Sequence, residues 1–301
     1  MTNFSLGVNN CFAVKRWPEP DIWAALVKDE LGLDLVQHSL DLVDLDTSHD
    51  DLLAQAGATR TACDGNGLRI DSTFTGLAAY SSNLLLAPTA ASRQRALEWY
   101  KRAIEFSAAM GAPGTGGHVG AFTVSDYRDP KRRSELALLL KEGLAQLSRY
   151  ARESGLEYLL VENLAATREP STMDGIGRLL SEGDVDHVPI RLCLDVGHQC
   201  VQGTSGGDRD PYAWLEKMSP LAPVVQLQQS DAEADHHWPF TRWANARGRI
   251  DAHRVLDAIS RSGADEVALV LEIIPSNEAD DDQVLTDMVT SAQYWRRALS
   301  G

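Results

Sequence analysis

The chain has 301 residues, of which 44% are hydrophobic and 24% charged, and it carries a formal net charge of −15. The length and the apolar share suit one α/β barrel with a sizeable core. The charge opposes nucleic acid and anionic membranes while leaving room for an anionic small molecule in a locally basic pocket, and no apolar run approaches the roughly 20 residues of a membrane span.

Strand-like and helix-like segments alternate along the whole chain, with no linker and no low-complexity tract. Phe4 to Asn9 reads as a first strand and Asp21 to Leu31 as a helix with Ile22, Ala25 and Leu26 on one face. Leu33 to His38 is a second strand. The helix Asp50 to Asp64 stops at the turn signal Gly65-Asn66-Gly67. Leu68 to Phe74 is a third strand, and the stretch Gly76 to Pro88 is a long connection of the kind that often carries function. A helix from Ala91 to Met110 leads to a short fourth strand, Thr115 to Val119. Pro130 then opens a helix to Ser154 with Leu136, Leu139, Leu140, Leu144 and Leu147 on one side. Four apolar runs follow, Leu159-Leu160-Val161, Leu192-Cys193-Leu194, Val224-Val225-Gln226-Leu227 and Val267 to Leu271. Helices near Ser171–Leu180, Pro211–Met218 and Asp251–Arg261 separate them, and a last helix spans Asp281 to Ala298. Strands alternating with helices in this number predict a single-domain (β/α)8 TIM barrel over residues 1–301. After the first strand stands Gly7-Val8-Asn9-Asn10-Cys11-Phe12, which is no phosphate-binding glycine turn, so the doubly wound alternative is disfavoured.

Each of the last four runs delivers polar groups at its end: Glu162-Asn163, Asp195-Val196-Gly197-His198, Gln228-Gln229-Ser230-Asp231 and Glu272. In a parallel barrel these ends meet at one mouth. Glu162, Asp195 and Glu272 gathered there would repel one another unless a cation neutralised them, and oxygen ligands suit Mg2+ or Mn2+, with Co2+ or Zn2+ as further candidates. Taken singly, either glutamate could instead pair with a buried arginine. Gly197 permits a tight turn that would let His198 reach over a ligand bound near Asp195, although His198 could also cap the next segment. His236 and His237 follow the seventh run beside Trp238 and Phe240, and Arg242, Arg247 and Arg249 come next; with Lys15 they are candidate anion-binding groups or plain surface charges. His38 and His118 end the second and fourth strands, as mouth residues or as core histidines.

At these residues the sequence resembles the xylose isomerase-like barrel superfamily of sugar and sugar-phosphate isomerases and epimerases, and within it the ketose 3-epimerase branch. The resemblance spans the whole chain. It implies a divalent ion held by Glu162, Asp195, Glu272 and a strand-seven residue, with Asp195 and His198 matching the family's Asp-x-x-His. The strand-seven ligand of that branch is a histidine, whereas Gln228 stands here, able to ligate through its carbonyl oxygen. The stretches around Gln228–Phe240 and Asn10–Trp17 are similar to the erythrulose-phosphate epimerases. The implied reaction is proton transfer on a small ketose or ketose phosphate by two glutamates, Glu162 and Glu272, through a metal-stabilised enediolate. His198, His118, His38, His236 and His237 would bind the substrate, and Lys15, Arg242 or Arg247 any phosphate.

Rival readings are a metal-dependent lyase (decarboxylase or dehydratase) on the same barrel, a repair nuclease of related fold, and a silent binding barrel. The acidic charge and only eight histidines argue against the nuclease. Cys11, Cys63, Cys193 and Cys200 form no disulfide framework, and the start Met1-Thr2-Asn3-Phe4-Ser5 carries no secretion signal, so a cytoplasmic protein is expected. A homo-oligomer, dimer or tetramer, is expected from the resemblance.

Overall fold

A computed structural model describes residues 2–301. Eight parallel strands close into a barrel in sequential order: β1 (Asn3–Asn9), β2 (Leu35–Ser39), β3 (Arg69–Phe74), β4 (Gly114–Gly117), β5 (Tyr158–Glu162), β6 (Ile190–Asp195), β7 (Val224–Leu227) and β8 (Glu266–Leu271). The closing pair is β1 with β8, in register from Asn3 opposite Glu266 to Val8 opposite Leu271. Eight helices follow the strands: α1 (Pro20–Ala25), α2 (His49–Asn66), α3 (Ala90–Met110), α4 (Pro130–Glu153), α5 (Met173–Gly177), α6 (Pro211–Met218), α7 (Ala252–Ser262) and α8 (Asp281–Ser300). The expected (β/α)8 barrel is therefore present.

Local chemistry explains most boundaries. The side chains of Ser48, Thr89, Asp129, Asp210, Asp251 and Asp280 each accept a backbone N–H in the first turn of the following helix. The α4 leucines pack as their spacing predicts, with Leu136, Leu140, Leu144 and Leu147 buried. In the first helix the expected face is wrong. Ile22 is exposed, and Trp23, Ala24 and Val27 are buried instead, because α1 runs only six residues from Pro20 before a wider turn at Leu26–Glu30. The helix expected at Ser171–Leu180 shortens to the five residues of α5.

The barrel interior is filled by Leu35, Phe74, Leu160, Cys193, Val224, Ala268 and Val270, and a larger apolar layer joins the strands to the helices. The four cysteines are free and buried. Among the described residues no helix is long and apolar enough to cross a membrane.

Candidate active site

The C-terminal ends of β5, β6, β7 and β8 carry Glu162, Asp195, Gln228 and Glu272 to one place. The registers show how: Glu162 lies opposite Cys193, Asp195 opposite Gln226, and Leu227 opposite Leu271, so the last residues of neighbouring strands step around the rim. Glu162, Asp195, Gln228 and Glu272 are all buried. Asn163 stitches two of the ends together, donating to the Asp195 carbonyl at 3.0 Å and accepting the Asp195 N–H at 2.9 Å.

Each acidic group is held differently. Glu162 Oε2 accepts the Tyr80 hydroxyl at 2.5 Å, while its Oε1 is buried with no hydrogen-bond partner. Asp195 Oδ1 accepts the N–H groups of Gly197 at 2.6 Å and His198 at 3.1 Å, the tight turn that Gly197 was expected to make. A Cβ at Gly197 would fall 2.2 Å from the Gln228 amide carbon, so only glycine fits. Glu272 Oε1 accepts Asn9 Nδ2 at 3.1 Å and Gln226 Nε2 at 2.8 Å. Both amides also donate to Gln37 Oε1, at 3.0 and 2.9 Å. Gln37 donates to Ser72 Oγ at 3.2 Å, and Ser72 donates to Asp71 Oδ2 at 3.1 Å, so a polar chain runs from Glu272 across the barrel.

The loop after β7 adds groups that the strand pattern did not indicate. Asp235 lies with Oδ2 3.2 Å from His198 Nε2 and Oδ1 3.1 Å from His237 Nε2. His198 Nδ1 donates to the Asn163 carbonyl at 2.6 Å, so Nε2 is the nitrogen turned inward. Burial is the largest influence on both glutamates: it raises Glu162 to about 8 and Glu272 well above the usual range, with His198 and His237 respectively working against it. Burial alone would keep His198 and His237 neutral, but the surrounding carboxylates overcome it; His198 rises well above its ordinary value and His237 to about 9. Asp235 is held well below the usual carboxylate range: burial pushes it up, and His198 and His237 outweigh that.

Three buried carboxyl groups, Glu162, Asp195 and Glu272, thus share a centre with two imidazoles, and the exposed Asp235 meets both imidazoles from the loop side. Three overlapping sets of donor atoms lie within 4.8 Å of one another: Glu162, Asp195 and His198; Asp195, His237 and Glu272; and His198, Asp235 and His237. The excess of buried anionic oxygen, with Glu162 Oε1 unpartnered, fits a hard divalent cation.

A cavity of about 310 Å3 opens on this centre. Tyr80, Asp235, His236, His237 and Glu272 line its polar side, and Cys11, Phe74, Leu77 and Ile274 its apolar side. Of four larger hollows, of about 380 to 550 Å3, three touch none of the four carboxyl groups, and the fourth, of about 430 Å3, reaches only Asp235.

The remaining sequence candidates divide. His237, His198 and His236 are at the site, the last stacked on Trp238 with its Nε2 3.0 Å from Asp231. His118 is buried behind Tyr80, whose ring stacks on it at 4.5 Å, and burial lowers it to about 4. His38 is a core histidine: Asn10 Nδ2 meets its Nδ1 at 2.8 Å, Trp23 and Phe106 flank its ring, and burial lowers it to about 3. Lys15, Arg242 and Arg247 are exposed and do not line the cavity; Arg247 lies over the Trp243 ring instead. Gln228 departs most from expectation. Its carbonyl oxygen accepts the His237 N–H at 2.6 Å and its amide nitrogen faces Asp195, so it turns nitrogen rather than oxygen toward that carboxylate. Asp235, Tyr80, Asn9, Gln37 and Gln226 were not singled out. A glutamine inside the apolar runs Leu-Val-Gln and Val-Val-Gln-Leu is a usable signal for Gln37 and Gln226; Tyr80 lies in the Gly76–Pro88 connection, whose length marks the loop but not the residue, and Asp235 sits in a polar loop with no such mark.

A family model for the xylose isomerase-like TIM barrel matches residues 25–297. The chain belongs to that family. It is 26% identical over 298 residues to the D-erythrulose 1-phosphate 3-epimerase of Brucella abortus (strain 2308), covering 97% of this chain and 95% of that protein. A solved Rhodospirillum rubrum protein, provisionally named a xylose isomerase, is 35% identical with a TM-score of 0.90, covering 98% of this chain and 99% of its own. The D-psicose 3-epimerase of Clostridium cellulolyticum H10, solved with D-tagatose, shares the fold at a TM-score of 0.67 and 15% identity, covering 98% and 99% of the two chains. This barrel is an enzyme of the isomerase and epimerase class.

Proposed function

We propose that the chain is a divalent-metal-dependent 3-epimerase of a small ketose or ketose phosphate. The observation that carries this reading is the pair Glu162 and Glu272, buried at the ends of strands three places apart, with Asp195 between them and a small cavity beside them. Glu162, Asp195 and Glu272 would hold the ion, which when bound would polarise a ketone oxygen and make the neighbouring C–H more acidic. Mn2+ or Mg2+ suits the oxygen-rich set.

The protein's own groups do the rest. Glu272, on the cavity wall, would take a proton from the carbon beside the ketone. Glu162 returns one from the other side, which inverts that carbon. Burial raises both carboxyl groups in the metal-free site, and a bound cation would oppose that rise. His198, fixed by the Asn163 carbonyl, has Nε2 3.2 Å from Asp235 Oδ2 and would reach a substrate oxygen from there. Tyr80 holds Glu162 through one oxygen and leaves the other free. No lysine or arginine lines the cavity among the described residues, so the reacting carbons belong inside it and a phosphate, where the substrate has one, toward its rim. The epimerase reading is preferred to the lyase because the relatives named above are epimerases and isomerases.

The test is NMR of C4 to C6 ketoses and their phosphates, erythrulose 1-phosphate among them, in D2O with Mn2+ or Mg2+. Deuterium should enter at C3 with inversion and no loss of carbon. Exchange at no carbon, or a product short of CO2 or water, would sink the reading.

A further inference from the structure

We infer that the metal corner facing β7 is supplied from the following loop by His237 Nε2, and that Gln228 is the positioning residue that holds it there. This rests on the metal-dependent reading above. Asp195, His237 and Glu272 already offer atoms within 4.8 Å of one another. The two nitrogens of His237 are sorted by their surroundings. Nδ1 lies 3.2 Å from the Glu272 backbone carbonyl and donates to it, with Glu272 Oε2 3.6 Å away, which leaves Nε2 on the side of Gln228 and Asp235. A second ring N–H tied to a backbone carbonyl is how metal-binding imidazoles are oriented. Nε2 itself meets Asp235 Oδ1 and Oδ2 at 3.1 and 3.2 Å and Gln228 Nε2 at 3.3 Å.

The backbone is built to deliver this ring. His237 has φ of +48°, a left-handed conformation that costs a non-glycine residue of order 1 kcal/mol and persists only when the surroundings enforce it. Two things enforce it here. An antiparallel bridge between Gln229 and Trp238 pins the next residue, with bonds of 2.9 and 3.2 Å. The Gln228 carbonyl oxygen accepts the His237 N–H at 2.6 Å. The same Gln228 side chain donates to Asp195 Oδ1 and Oδ2 at 3.1 and 3.2 Å and to Asp235 Oδ1 at 2.8 Å. One amide therefore orients a carboxylate and an imidazole of the same set. A histidine at 228 would ligate directly; the glutamine does its work one step back.

The experiment is calorimetric titration of metal-stripped full-length protein with Mn2+, together with pulsed EPR on the Mn2+ form to detect a directly bound imidazole nitrogen. Wild type should bind one ion and show the nitrogen coupling. His237→Gln should weaken binding at least tenfold and lose the coupling. Gln228→Ala should weaken binding roughly tenfold while keeping the coupling, as loss of a positioning partner does. Wild type that binds Mn2+ without any imidazole coupling, or His237→Gln that retains coupling and affinity, overturns the inference. Because the wild-type EPR needs no variant, a misfolded mutant does not blunt it. Wild type that takes up no divalent ion would instead bring down the metal-dependent reading itself.

Discussion

The two catalytic candidates are supported in opposite ways. Glu272 is gripped from within the barrel: Asn9 at the end of β1 and Gln226 in β7 both donate to one of its oxygens, and Gln37 in β2 accepts from both amides. Every member sits on a strand, so the grip is as stiff as the sheet. Glu162 is met instead by Tyr80, which stands on the loop after β3. That loop is anchored by Asp41, whose carboxylate accepts the N–H groups of Leu77 and Ala78 at 2.6 and 2.9 Å, and a Cβ at Gly76 would strike that carboxylate at 2.5 Å. Glu272 and Tyr80 line the cavity, whereas Glu162 lies behind the tyrosine. The site thus pairs a candidate base held from strands with one held from a loop.

Removing either base should have the largest effect. Glu162→Gln and Glu272→Gln are each expected to lower kcat by about 10^2 to 10^4, the usual share of a positioned acid or base. Each should still take up Mn2+, and in D2O each should exchange the C3 proton of only one of the two epimers. Near-normal turnover in either variant would end the two-base scheme. Gln226→Ala comes next. It strips one of two donors from a buried carboxylate and should cost roughly 1–3 kcal/mol in urea unfolding as well as about tenfold in kcat. Tyr80→Phe should be milder, several-fold in kcat with a matching change in KM, because the loop can readjust; if it proves more damaging than Gln226→Ala, the contrast between stiff and movable support is wrong.

The smallest expected effect lies at the far end of the Glu272 chain. Burial raises Asp71 to about 6, with the Ser72 hydrogen bond opposing it. Its folded form therefore keeps a proton that the unfolded chain has released, so stability is gained as pH falls from about 6 toward 4 and lost as it rises again. Asp71→Asn should lack that gain, and parallel pH–stability curves for variant and wild type would show that Asp71 is not so placed.

The barrel was legible because its signals are local. A buried parallel strand must be apolar on both faces, and an acidic residue ending such a run is anomalous enough to mark Glu162, Asp195 and Glu272 from the sequence alone. Even β4, with only Gly114-Thr115-Gly116-Gly117, fell in place through the alternation around it. What the tertiary structure alone decided are the partners. Tyr80, Asp235 and the His237 ring reach the centre along loop paths held by contacts from elsewhere in the chain, Asp41 for one and the Gln229–Trp238 bridge for another. The same contacts leave Lys15, Arg242 and Arg247 on the outside and put the Gln228 oxygen onto a backbone N–H. Strand periodicity states which way a side chain faces; a loop has no such period, so its reach is known only once the chain that braces it is in position.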